Sequence, residues 1–160
     1  MAFSKAEIAS SYLSNTPKAK PWLIQATTLQ PDDAVAWINQ GLALGVLERY
    51  EDAISAFEKA IELNPESHKA WNYKGEMLVK LEKEQEAIES FDRATQIEPK
   101  YAPAYYNKAT CFALQEQVKS AIENLEQAIR INPKYRQEAK SDRDFEAISE
   151  DDRFWQLVEG

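Results

Sequence analysis

Residues 34–67 read AVAWINQGLALGVLERYEDAISAFEKAIELNPES, residues 68–101 read HKAWNYKGEMLVKLEKEQEAIESFDRATQIEPKY, and residues 102–135 read APAYYNKATCFALQEQVKSAIENLEQAIRINPKY. Laid one under another, the three segments keep a proline in the same column, and Pro31 extends that column upstream of Pro65, Pro99 and Pro133. A unit of this length is too short to bury its own apolar face. The period therefore implies stacked helical hairpins whose core lies between neighbours.

The columns specify how the helices cross. Counting each unit from Ala34, His68 and Ala102, position 4 holds Trp37, Trp71 and Tyr105, and position 8 holds Gly41, Gly75 and Ala109. A large ring fills space between helices, and a minimal residue two helical steps later lets the partner backbone approach closely. In the second half, Ala53, Ala87 and Ala121 share position 20, Phe57, Phe91 and Leu125 position 24, and Ala60, Ala94 and Ala128 position 27. Small and bulky groups at these spacings form one face of a second helix, which Ile54, Ile88 and Ile122 widen.

This pattern of Trp, Gly, Ala, Phe and Pro resembles the tetratricopeptide repeat (TPR) family. The resemblance implies an all-α solenoid of antiparallel helices A and B, wound into a right-handed superhelix with a concave groove lined mainly by A helices. Full repeats are expected at 34–67, 68–101 and 102–135. One departure is at position 15, where the family often has Gly and this chain has Glu48, Glu82 and Glu116. Those turns either stay in ordinary backbone regions or carry modest strain.

The ends depart from the repeat. Ala19, Leu23, Ala26 and Pro31 fit a preceding second helix, but Phe3 and Glu7 replace Trp and Gly in its first. Residues 1–33 thus read as a degenerate N-terminal capping repeat with helices near 3–13 and 17–29. After Pro133 the period stops. The 136–160 tail carries Asp142-Arg143-Asp144-Phe145 and Arg153-Phe154-Trp155-Gln156-Leu157, resembling segments that follow TPR arrays in bacterial, especially cyanobacterial, proteins. Phe145, Ile148, Phe154 and Leu157 are expected to cover the last helix pair, with Ser141 and Asp151 as N-caps. Capping leaves Trp155 unexplained, while helix-start carboxylates account for Glu150, Asp151 and Asp152 without a metal.

Composition narrows function. The chain has 160 residues, four glycines and a net charge of −8, which fits a single α domain and repels nucleic acid phosphates. Its start has no charged segment leading into an apolar run, and nothing approaches a membrane span, so a cytoplasmic location is expected. Cys111 and His68 are each the sole residue of their type, leaving no disulfide and no zinc ligand cluster. With no phosphate loop, nucleophile elbow or metal-binding His pair, neither enzyme activity nor a cofactor is expected.

Binding remains, and the resemblance places it at positions 2, 5, 6, 9, 12 and 13 of the A helices. These give an apolar surface of Ile38, Leu42 and Val46 around Asn39 in the first repeat. They give Lys69, Asn72, Tyr73 and Glu76 in the second, and Tyr106, Asn107 and Thr110 in the third. Asn39 and Asn107 share the position where family members bind a ligand backbone through both amide groups. Ile38, Leu42 and Val46 are either partner anchors or the seat of an N-terminal helix bearing Ile8 and Tyr12.

The family's carboxylate clamp for chaperone C-terminal tails requires cations that this chain lacks. Its sites fall on Ile38, Leu42, Tyr73, Pro103 and Asn107, or one unit earlier on Ser4, Ile8, Asn39, Lys69 and Tyr73. Chaperone-tail binding is therefore not expected. The expected function is a noncatalytic adaptor or scaffold that holds a peptide or helix of a protein partner. Alternatives are a regulatory or assembly factor of a bacterial enzyme complex, photosynthetic ones included, and a self-associating homo-oligomeric solenoid.

Overall fold

The computed structural model describes residues 31–160. The expected repeat at 1–33, with Ile8 and Tyr12, falls almost wholly outside the described residues. Three helix pairs follow in order: α1 (Ala34–Val46) with α2 (Tyr50–Leu63), α3 (His68–Lys80) with α4 (Glu84–Ile97), and α5 (Ala102–Leu114) with α6 (Val118–Ile131). The chain ends in α7 (Lys134–Ser141), a 3₁₀ helix (Arg143–Ile148) and α8 (Asp152–Glu159). No strand occurs among the described residues, and the architecture is an all-α solenoid. Its helices pack within each pair and from each second helix onto the next pair, while α1 meets α3 and α3 meets α5 along one side. No described helix is long and apolar enough to cross a membrane.

The small-residue column works by receiving a ring. A Cβ built on Gly41 would lie 2.6 Å from Phe57 Cε1, and one on Gly75 would lie 2.5 Å from Phe91 Cε1. The close neighbour is thus the position-24 side chain of the same repeat, rather than the partner backbone expected from the sequence. In the third repeat both members change together, Ala109 for Gly and Leu125 for Phe, and both remain buried. The exchange conserves volume across the contact.

Tryptophan and lysine repeat their roles as well. Trp37 Nε1 donates to the Pro31 carbonyl at 2.8 Å, and Trp71 Nε1 donates to that of Pro65 at 3.0 Å. Each indole therefore ties its helix to the proline turn before it. Lys74 pairs with Glu58 at 2.9 Å and Lys108 with Asp92 at 2.6 Å. Both pairs join position 7 of one repeat to position 25 of the repeat before.

Each A–B turn takes the strained alternative. Glu48, Glu82 and Glu116 have φ of 57°, 57° and 56°, in the left-handed region that costs an L-residue about 1–2 kcal/mol. Hydrogen bonds hold them there. Glu48 N donates to the Gly45 carbonyl and Arg49 N to that of Leu44, with the same pattern around Glu82 and Glu116. These are Schellman closures that satisfy terminal carbonyls of each A helix.

The tail closes the last pair. Phe145, Ile148, Phe154 and Val158 are buried with Ala109, Leu125 and Ala128, and Leu157 packs against the same cluster. Asp151 caps α8 by accepting from Arg153 N at 3.0 Å. Hydrogen bonds from Arg153 hold the Asp151 carboxyl down at about 2. The cap expected at Ser141 belongs instead to Asp142, whose Oδ1 accepts from Asp144 N at 3.0 Å. Ser141 is still the last residue of α7 and donates its hydroxyl to the Glu138 carbonyl. Trp155 is explained by the repeat itself. It is the fourth residue of α8, and its Nε1 donates to the Ser149 carbonyl at 2.7 Å, with the same six-residue reach as Trp37 and Trp71.

Candidate functional site

The side lined by α1, α3 and α5 carries the residues that register assigned to a groove. Position 2 is exposed at Val35 and Lys69, and position 13 at Val46, Lys80 and Leu114. Position 6 is partly buried at Asn39, Tyr73 and Asn107. Position 5 lies deeper. Ile38 packs on the first-repeat cluster, Asn72 is 1% exposed and Tyr106 is 9% exposed. Leu42 joins Ile38 against the same cluster, whereas Val46 remains 61% exposed.

Tyr106 and Thr110 are buried, and the tail supplies Tyr106's surroundings. Tyr106 donates its hydroxyl to Asp142 Oδ2 at 2.7 Å, and its ring meets Tyr135 at 4.7 Å and Phe145 at 5.6 Å. Burial pushes its phenol up, and the bond to the Asp142 carboxylate adds to that. Thr110 Oγ1 donates to the Asn107 carbonyl, as a helical hydroxyl does when it faces its own backbone. Tyr73 rests against Phe57 at 5.7 Å, and burial together with nearby Glu76 raises its phenol.

A polar network links the second and third repeats. Asn72 Nδ2 donates to Glu76 Oε1 at 2.7 Å, and Asn107 Nδ2 donates to both Asn72 Oδ1 and Glu76 Oε1 at 3.1 Å. Burial raises the Glu76 carboxyl, while the two amide donors and Lys80 draw it back. The amide orientation follows from the bonding. Turning Asn107 over would aim its carbonyl oxygen at two acceptors. Sequence register identified all three residues, but no local signal foretold that they would bond to one another.

Beyond this network, a shallow cleft of about 600 Å³ is lined by Val79, Lys80, Glu82, Glu84, Leu114 and Asp144. Asp144 comes from the 3₁₀ helix, so the tail forms one wall. Burial raises its carboxyl, Asp142 adds to the effect, and Lys80 opposes it. No local signal in the sequence marks Glu82, Glu84 or Asp144 as lining residues, since the tail's path is not encoded in the repeat.

Residues 38–103 match one tetratricopeptide repeat model and residues 102–135 match a second. No curated protein matches the sequence. Among solved structures, a crystal structure of MamA superposes with a TM-score of 0.79 at 19% identity, covering 99% of this chain and 91% of that one. A second MamA crystal structure gives 0.72 at 20% identity, with coverages of 96% and 88%. The MamA RS-1 ArsTM double mutant gives 0.67 at 24% identity, with coverages of 89% and 84%. At these identities the likeness is one of fold.

Proposed function

The chain belongs to the tetratricopeptide repeat family, and from that premise we propose that it is a noncatalytic adaptor or assembly factor holding a peptide or helix of a protein partner in its concave groove. The observation that carries this reading is the run of accessible side chains along successive A helices, with Lys69, Lys80 and Leu114 exposed and Asn39, Tyr73 and Asn107 partly so. Such a surface mixes apolar area with hydrogen-bonding groups, as peptide recognition requires. In this reading Asn39, Lys69, Tyr73, Glu76 and Asn107 meet the partner. Asn72, Tyr106 and Thr110 support the surface from beneath, and Val46 offers an apolar anchor beside Ile38 and Leu42.

The units at 34–67, 68–101 and 102–135 act as one array closed by the tail. A cytoplasmic setting suits the lone Cys111, which burial pushes up to about 12 and so keeps protonated and inert. Site-specific photocrosslinking in extract of the native source tests the groove. A crosslinker replacing Lys69 or Lys80 should capture a protein partner, while one replacing Lys59 on α2 should not. Capture from position 59 alone would place binding on the opposite face and reject the proposal.

A further inference from the structure

Resting on the groove reading, we infer that the segment bound between the second and third repeats is basic, seating a Lys or Arg beside Glu76 and Asp144. The selectivity comes from how the hydrogen bonds are spent. Both bonds from Asn107 Nδ2 run to Asn72 and Glu76, and Asn72 Oδ1 is taken by Asn107. Among the described residues nothing donates to Asn107 Oδ1 or to Glu76 Oε2. The groups left over on Asn107 and Glu76 are acceptors. A partner completes them with N–H donors, and a cation does so with the strongest bonds.

This departs from an amide pair that grips a peptide backbone by donating and accepting together. With the donors of Asn107 consumed, its amide can accept from a ligand N–H but cannot also donate to a ligand carbonyl. The cleft lined by Lys80, one helical turn beyond Glu76 on α3, has the same polarity. Glu82, Glu84 and Asp144 line it with Lys80 as the one cation among its lining residues. Lys80 acts on both Glu76 and Asp144, yet forms no ion pair with either. Val79 and the exposed Leu114 supply apolar walls. A Lys or Arg stem can lie along such walls while its head reaches the carboxylates.

Panning the full chain with a phage-displayed random dodecapeptide library tests the inference. Enriched peptides should place Lys or Arg next to an aliphatic residue. As synthetic peptides they should bind about ten-fold more weakly to a Glu76→Gln/Asp144→Asn variant, and more weakly as salt rises. Glu76→Gln keeps an acceptor for Asn72 and Asn107, so an unchanged helical melt separates lost binding from lost fold. Enriched peptides without basic residues, or basic ones that bind the double variant equally, overturn the charge assignment. If such peptides still crosslink at position 69 or 80, the groove itself stands. If panning enriches nothing, or only peptides that crosslink elsewhere, both readings fail.

Discussion

Gly75 and Phe91 show how much one contact decides. A methyl group on Gly75 would sit 2.5 Å from a ring carbon that is itself fully buried, so the ring cannot swing aside into solvent. Gly75→Ala should lose about 1–3 kcal/mol in urea unfolding of the full chain, the usual cost of overpacking. The third repeat indicates the remedy, because Ala109 and Leu125 are buried in one cluster there. Adding Phe91→Leu should recover a large part of the loss, giving a favourable coupling in a double-mutant cycle. Simple addition of the two single losses would show that the columns do not compensate. The sequence displayed these partners as separate columns. Their contact became visible only when both helices were packed.

Within elements, the 3₁₀ helix is latched at both ends of one side chain. Asp142 uses Oδ1 to cap its own turn and Oδ2 to accept from Tyr106 on α5. Tyr106→Phe removes only the second bond and leaves the ring in place. It should cost about 1.5–3 kcal/mol, as a hydrogen bond to a charged group does. Amide exchange measured across the chain should quicken in Arg143–Ile148 and stay unchanged in α3. Exchange that stays slow throughout would mean that packing of Phe145 and Ile148 alone holds the element. The choice of Asp142 over Ser141 as the cap was not readable locally, since both are good capping residues. Trp155 was readable in principle. Its place four residues into a helix is the place of Trp37 and Trp71, but the start of α8 had to be known first.

For the molecule as a whole, the tail belongs to the core of the third repeat. Phe145, Ile148 and Phe154 are nearly fully buried in a cluster that includes Tyr106, Ala109 and Leu125. Burying three such side chains contributes about 5 kcal/mol or more. A chain ending at Pro133 should therefore lose exchange protection in α5 and α6 and melt at lower temperature. Protection in α3 and α4 should fall less, because each repeat contacts mainly its neighbours. Equal protection in α5 with and without the tail would reduce the tail to an appendage.

The repeat period and the helix pairing were determined by sequence, because spacing along a helix fixes which side chains share a face. The turns at Glu48, Glu82 and Glu116 were left open, since Glu is compatible with more than one backbone region until the Schellman bonds close. Only tertiary structure decided which donors and acceptors on the A helices are already spent. Asn72 meets Asn107 across 35 residues and Tyr106 meets Asp142 across 36. A side chain's remaining donors and acceptors are known only after such distant partners have taken theirs.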